Sequence, residues 1–189
     1  MALPIPKLTV EQYLAIERQA EYKSEFYNGE MFAMAGGTRR HSLLQSRFIQ
    51  LLGARLEGRD CDVYTSDLAV RTSEDGLYTY PDVSVVCGEP LYEDDTTDVI
   101  INPKVIFEVL SPSTEAKDRG FKFHQYKQIA TLEEYVLVSQ SESLIERYGR
   151  SPGRAWEAYS EARGMDATLK LASLGIEIPL AEIYRGMEF

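Results

Sequence analysis

Apolar residues recur at helical spacing in two segments near the start of the chain. Thr9-Val10-Glu11-Gln12 has the spacing of a capping box, and the apolar residues after it predict a first helix at about residues 9–20. Thr38 is placed to cap a second helix, which we expect to end at Gly58. The core-facing stripe of this second helix consists of Leu44, Phe48, Leu51, Leu52 and Leu56.

A hairpin and several strands follow from the rest of the pattern. Asn28-Gly29 lies between short aromatic or apolar runs and predicts a hairpin within residues 22–35. The turn-forming residues 111–114 offer caps for a third helix at about residues 115–130, which Gly120 weakens without excluding. Short runs of strand character lie near residues 61–71, 78–87, 104–110, 134–138, 143–149, 155–160 and 167–172.

The predicted order of elements is helix, hairpin, helix, three strands, helix, strand and a β-rich tail. This order favours an α/β (mixed α+β) protein in which helices flank a mixed central β-sheet. We find no repeat, low-complexity segment or linker, so we expect a single domain over residues 1–189. The chain has neither a stretch of about 20 apolar residues nor the features of a signal peptide, and we therefore expect a cytoplasmic protein that does not contact a membrane.

Three ionisable residues stand out against this apolar background. Glu108 interrupts the apolar run 105–110, where a carboxylate is costly to bury unless it is paired, hydrogen-bonded or bound to a metal. Asp82 follows Pro81 in another strand, and Lys122 lies on the third helix. Two carboxylates suit a hard divalent cation such as Mg²⁺, and a lysine stabilises negative charge on phosphorus.

Each of these residues also has a simpler interpretation. Asp82 is compatible with a turn acid, Glu108 with an exposed sheet face, and Lys122 with a solvated helix lysine. As an acid/base pair, Asp82 and Glu108 also fit a sugar hydrolase that needs neither metal nor lysine. Only their combination points to one site.

Charge is distributed unevenly along the sequence. The formal net charge is −10, and residues 61–115 contain 12 acidic and 2 basic residues, which accounts for the whole acidic excess. This segment contains both Asp82 and Glu108, which favours a cation-binding field, although the acidic run of residues 93–98 is typical of a solvated loop. Cys61 and Cys87 are isolated, and we expect buried thiols rather than a disulfide.

Several of these motifs together carry a family resemblance. Pro81-Asp82, the run Phe107–Thr114, the pattern Asp118-Arg119-Gly120-x-Lys122 and the strand Glu134–Val138 resemble the Uma-two family of restriction-endonuclease-like proteins, within the PD-(D/E)xK nuclease superfamily. The resemblance extends from Tyr22 to about Val138. It implies a restriction-endonuclease-like core of four mixed strands in the order α–β–β–β–α–β, here with a β-rich C-terminal extension.

The resemblance also implies roles for individual residues. Asp82 and Glu108 match the two metal-binding acids, and the Val109 carbonyl matches a third ligand. Glu25 matches the acid of the N-terminal element, although Glu30 competes for that role. The strand lysine of the superfamily is replaced by Leu110, so catalysis depends on whether Lys122 takes its place from the helix. From the sequence itself, His41 at the start of the second helix is more often a cap or surface residue than a base, although the backbone amides and arginines there could hold a phosphate.

The expected activity is therefore Mg²⁺-dependent or Mn²⁺-dependent endonucleolytic cleavage of DNA. Because an acidic chain binds DNA weakly, we expect a homodimer that presents two sites. The alternative is a catalytically idle member of the fold that serves as a binding or assembly module. The candidate DNA-binding cations are Arg39, Arg40, Arg47, Arg55, Arg59, Lys117, Arg119 and Lys127.

Overall fold

The computed structural model describes residues 7–34, 36–151, 153–156 and 158–189. Residues 1–6, on which the expectation about a signal peptide partly rests, lie outside this range. The strand predicted near 155–160 includes residue 157, which also lies outside it, and the observed strand begins at Ala158. Within the described ranges, no helix is long and apolar enough to cross a membrane.

Two capped helices begin the fold where the sequence predicts them. Helix α1 is Val10–Glu17, and the side chains of Thr9 and Gln12 form a complete capping box at its start. Helix α2 is Arg39–Leu56, and the Thr38 side chain accepts a hydrogen bond from the His41 main-chain N–H. Both predicted helices are confirmed, although α1 ends three residues early.

The described part of the chain also contains thirteen short strands. They are β1 Ser24–Tyr27, β2 Glu30–Ala33, β3 Cys61–Thr65, β4 Ala69–Arg71, β5 Tyr78–Thr79, β6 Val83–Cys87, β7 Val99–Ile100, β8 Val105–Leu110, β9 Glu134–Ser139, β10 Leu144–Gly149, β11 Ala158–Arg163, β12 Thr168–Leu171 and β13 Ile176–Pro179.

The largest sheet positions most of the candidate site. Its strand order is β11-β10-β9-β8-β6-β3, with β8 and β9 parallel and the other neighbours antiparallel. A second sheet has the order β2-β1-β5-β4-β7, and β12 pairs with β13 in a hairpin of its own. The run from α2 through β3, β6 and β8 to the following helix and β9 reproduces the expected α–β–β–β–α–β order. Strands β10 to β13 form the β-rich extension.

The two faces of the central sheet are covered by different elements. Phe107 and Val109 of β8 face a core cluster with α2 and the C-terminal hairpin, and Phe48 of α2 packs on Phe107. Ile106 and Leu110 face the opposite cluster, which includes Tyr126. Because side chains alternate along a strand, Glu108 also faces this second side, as predicted.

The third predicted helix is shorter and less regular than expected. It consists of α3 Glu115–Lys117, a π-helical turn Asp118–Lys122 and α4 Phe123–Tyr126, so it ends before residue 130. A π-helical turn is rare and occurs frequently at functional sites. A last short helix, α5 Leu180–Ile183, follows the C-terminal hairpin.

The prediction for the two cysteines was wrong. Cys61 of β3 and Cys87 of β6 lie directly opposite each other in the antiparallel pair, with a Cα–Cα distance of 3.9 Å, and they form a disulfide. The residues are 26 positions apart in sequence, so only strand pairing brings them together. The disulfide fastens the edge strand β3 to β6, the strand that begins just after Asp82.

Candidate functional site

Glu108 is a buried carboxylate with two close donors. It lies on β8 and faces the helical segment that precedes β9. Its Oε1 accepts hydrogen bonds from Lys122 Nζ at 2.9 Å and from Tyr126 Oη at 2.6 Å. The interpretation of Glu108 as an exposed sheet residue is therefore wrong, because the strand is covered on both faces.

Lys122 projects into the protein rather than into solvent. Its side chain is 8% exposed, and its ammonium lies 2.9 Å from Glu108, 3.3 Å from Glu25 and 3.6 Å from Asp118. Leu110 shares the strand face of Glu108 but belongs to the apolar cluster around Tyr126. An ammonium from the π-helical turn thus reaches the carboxylate that a strand lysine would otherwise approach.

Asp82 joins the same site from the neighbouring strand. Val83 pairs with Phe107, so Asp82 lies next to Glu108 at the end of the β6–β8 ladder. Asp82 Oδ2 accepts a hydrogen bond of 2.7 Å from the Val109 main-chain N–H. Asp82 is thus tied to β8 and is not a free turn acid.

The structure distinguishes between the two N-terminal acids. Glu25 is buried on β1, accepts a 2.5 Å hydrogen bond from Thr79 Oγ1, and pairs with both Lys122 and Lys117. Glu30 lies on β2 and is exposed. Glu25 is therefore the N-terminal acid that the fold brings to the site.

His41 is a member of the site that the sequence reasoning did not select. Its Nε2 lies 3.0 Å from Asp82 Oδ2, and Gln45, one turn further along α2, donates to the Asp82 main-chain carbonyl at 2.8 Å. The sequence does place His41 in the first turn of α2, because it lies three positions after the Thr38 cap. It does not show that this turn packs next to Asp82, the residue just before β6.

Burial and mutual charge set the protonation of the central pair. Burial raises the pKa of Glu108 to about 8, even though the Lys122 charge acts in the opposite direction; Asp82 and Asp118 raise it further. Burial alone would lower the pKa of Lys122, but the carboxylates around it outweigh burial and hold that pKa well above its ordinary value. Lys122 is therefore a permanent cation at neutral pH.

The surrounding groups are shifted in different directions. Burial opposes ionisation of Glu25, but Lys122 and Lys117 outweigh it and lower the pKa of this carboxyl. Burial raises the pKa of Asp118. The hydrogen bond to Asp82 raises the pKa of His41, which favours the imidazolium. The site thus concentrates both signs of charge in a small buried volume.

The donor set fits a hard divalent cation. Asp82 Oδ1 and Glu108 Oε2 accept no hydrogen bond from the described residues. The Val109 carbonyl faces the same neighbouring strand as its N–H, which is the side of Asp82. The described residues contain no group of three or more His, Cys, Asp or Glu that could hold a metal. Mg²⁺ does not need such a group, because it usually takes only one or two protein carboxylates and keeps several waters.

Most of the expected DNA-binding arginines are hydrogen-bonded within the protein. Arg40, Arg47 and Arg55 on α2, and Arg59 just after its end, donate hydrogen bonds to main-chain carbonyls of the C-terminal region, among them those of Ile183, Glu177 and Leu174. These guanidinium groups fasten the C-terminal segment to the helix. Arg119 pairs with Glu115 and Glu146, so few of the expected cations face solvent without a carboxylate or carbonyl partner.

Comparison with known proteins agrees with this geometry. The family model Uma2, described as "Putative restriction endonuclease", matches residues 10–181. The chain belongs to the Uma2 family. The resemblance read from its motifs is therefore confirmed.

Two relatives of this Uma2 protein come from Synechocystis sp. (strain ATCC 27184 / PCC 6803 / Kazusa). The uncharacterized protein slr1290 is 38% identical over 186 residues, covering 98% of this chain and 96% of its own. The uncharacterized protein sll1609 is 34% identical over 169 residues, covering 89% and 95%. Both share nearly the full length of the chain.

A solved structure is similar in fold. The crystal structure of a "putative nuclease belonging to DUF820" from Anabaena variabilis ATCC 29413 superposes with a TM-score of 0.74 at 19% identity, covering 94% of this chain and 97% of its own. At this identity the likeness concerns the fold alone. It confirms the prediction of a nuclease-like fold in which helices flank mixed sheets.

Proposed function

We propose that this Uma2 protein is a Mg²⁺-dependent endonuclease that hydrolyses phosphodiester bonds in DNA. The observation that carries the proposal is the contact between Lys122 and Glu108 beside Asp82. It supplies two carboxyl groups that can bind a metal ion and one cation that can stabilise negative charge on phosphorus. The family and the fold support the coarser assignment to a nuclease-like protein.

Asp82, Glu108 and the Val109 carbonyl would hold the metal ion. When bound, Mg²⁺ would neutralise charge on the attacked phosphate and lower the pKa of a bound water. Lys122 is protonated at neutral pH, so it donates hydrogen bonds to the attacking water or to a phosphate oxygen and does not act as a base. Glu25 holds Lys122 in place from the opposite side.

A nuclease assay tests the proposal. Wild type, Asp82→Ala and Lys122→Ala are incubated with plasmid and oligonucleotide DNA in the presence of Mg²⁺, Mn²⁺ or EDTA. We expect cleavage by wild type with either metal and none with EDTA or by either variant. Cleavage that survives EDTA or either substitution would rule out this mechanism, and metal binding without cleavage of any nucleic acid would favour the idle binding module.

The quaternary state and the location of the protein are part of the same proposal. We propose a homodimer, because one acidic chain has few cations to hold DNA. Light scattering at micromolar concentration tests the dimer, and a monomer at that concentration would contradict it.

We also propose a cytoplasmic location. The oxidation state of Cys61 and Cys87 is informative here, because disulfides are rare in that compartment. Alkylation of thiols in intact cells reports whether the two cysteines are joined.

A further inference from the structure

The hairpin that provides Glu25 also carries an exposed aromatic residue. In the β1–β2 pair, Glu25 lies directly opposite Phe32, so their side chains project from the same face. Glu25 reaches inward to Lys122, whereas Phe32 is 45% exposed. Phe32 is therefore at the rim of the candidate site.

Lys117 links the exposed ring to the buried centre. Its ammonium lies 5.8 Å from the centroid of the Phe32 ring and pairs with Glu25. Glu25 in turn lies 3.3 Å from Lys122. The Lys117 side chain is 39% exposed and its ammonium lies over one face of the ring, so the rim presents a cation and an aromatic ring together.

Packing does not account for the position of Phe32. The neighbouring Tyr27 packs edge-on against Phe121 with a centroid separation of 4.9 Å, and Phe26 is buried against Tyr13 at 4.7 Å. Among the described residues, Phe32 has no such aromatic partner, and its exposed ring gains little from burial. A single exposed apolar residue is common on protein surfaces, but Phe32 is a candidate ligand contact because it lies beside the buried charges and under the Lys117 ammonium.

The charge of the molecule indicates what the ring would contact. The net charge is −10, and arginines on and just after α2 are bound to main-chain carbonyls, so few cations are left to contact phosphates. Proteins that bind single-stranded nucleic acid combine basic groups with aromatic side chains on which bases stack, and stacking does not depend on net charge. In a duplex the base faces are covered by their neighbours, so an aromatic ring at the rim has access only to an unpaired base.

We propose that Phe32 stacks on an unpaired nucleobase next to the reacting phosphate, and that the substrate is single-stranded DNA or an unpaired segment of DNA. Lys117 contacts the phosphate beside that base. This inference rests on the proposed nuclease function and specifies its substrate class.

Fluorescence anisotropy with labelled 20-nucleotide DNA, single-stranded or duplex, tests the inference without requiring cleavage. EDTA is present throughout. One stacked base contributes about 1–3 kcal/mol, so we expect Phe32→Leu to weaken single-strand binding by about 10-fold, while Phe32→Trp retains it. Tyr159→Leu is the matched control, because Tyr159 is 53% exposed on the edge strand β11, three strands away from β8. It is expected to bind like wild type.

The outcomes separate the inference from the function on which it rests. Unchanged single-strand binding by Phe32→Leu, an equal loss on duplex, or an equal loss in Tyr159→Leu would overturn the role of Phe32 even if Mg²⁺-dependent cleavage is intact. Selective loss in Phe32→Leu supports the role even if no cleavage is found. If wild type binds no single-stranded DNA, the inference fails, whereas the proposed function is decided separately by the cleavage assay with Mg²⁺ or Mn²⁺. Circular dichroism of each variant verifies that it is folded.

Discussion

At the scale of single residues, the site is a balance of buried charges. Lys122 contacts Glu108, Glu25 and Asp118, so removing it leaves carboxylates with no cation of comparable burial. Breaking a buried pair in this way is costly, whereas partly exposed pairs contribute little, because solvent screens them. Two lysines that share Glu25 as a partner make this difference measurable.

We expect Lys122→Met to lower the free energy of unfolding by about 3 kcal/mol in EDTA, because it leaves the ionised, buried Glu25 without its buried partner cation. Lys117→Met is the matched control: it removes the same group from the same Glu25, but from a partly exposed position, and is expected to cost less than about 1 kcal/mol. Urea unfolding followed by circular dichroism gives both values. Equal losses of unfolding free energy in the two variants would show that burial of the Lys122 ammonium does not add to stability.

The raised pKa of Glu108 predicts how stability depends on pH. The folded protein holds this proton up to a pKa of about 8, whereas the unfolded chain releases it near the ordinary glutamate pKa of 4.5. Between these values the folded state binds more protons, so in EDTA the stability contributed by this group falls as pH rises. Glu108→Gln cannot ionise, and its melting temperature should fall less than that of wild type from pH 5 to pH 9. Parallel curves would contradict the assignment.

At the scale of elements, alternation and capping are readable from sequence, but pairing is not. The alternation of β8 correctly placed Glu108 away from Phe107, and the Thr38 cap located α2. The choice between Glu25 and Glu30 depends on which hairpin residue meets Lys122, which is a tertiary contact between elements far apart in sequence. The Cys61–Cys87 bond was missed for the same reason.

Replacing Gly29 in the hairpin turn and Gly120 in the third helical segment by alanine should change the stability of the protein in opposite directions. Gly29 has φ +82°, and a Cβ there would lie 2.5 Å from Lys7 Cβ, so Gly29→Ala is expected to destabilise the protein by about 1–2 kcal/mol and to lower activity by displacing Glu25. Gly120 lies in the π-helical turn, where a Cβ would meet nothing within 4 Å, so Gly120→Ala is expected to stabilise by about 0.5–1 kcal/mol.

Thermal and urea unfolding measure both glycine variants, and the cleavage assay measures activity. Gly120→Ala should retain the wild-type rate, because the added methyl group leaves the backbone and Lys122 in place. A loss of activity in Gly120→Ala without loss of stability would show that the π-helical turn needs the conformational freedom of glycine.

At the scale of the whole molecule, charge is organised by region rather than spread evenly. The acidic excess lies in residues 61–115, which contain Asp82 and Glu108, while arginines on and just after α2 bind the C-terminal segment. Composition predicted an acidic protein with a cation-binding segment. It could not show that the arginines are hydrogen-bonded to the C-terminal segment instead of being free to bind phosphate. Their carbonyl partners lie more than 100 residues away in sequence.

This distribution predicts a shallow dependence of DNA binding on salt. For single strands the slope of log Kobs against log[salt] is about −0.7 for each phosphate that is neutralised. Among the described residues, Arg39 and Lys127 have no carboxylate or carbonyl partner, and the phosphate contact proposed for Lys117 adds a third cation, so we expect a slope of about −2 in EDTA. Arg39→Ala should make the slope shallower by about 0.7, whereas Arg59→Ala should leave it unchanged, because Arg59 donates to the Leu174 carbonyl. A slope steeper than about −5 would mean that the α2 arginines leave their carbonyl partners to bind phosphate, and that electrostatic contacts rather than stacking dominate the affinity.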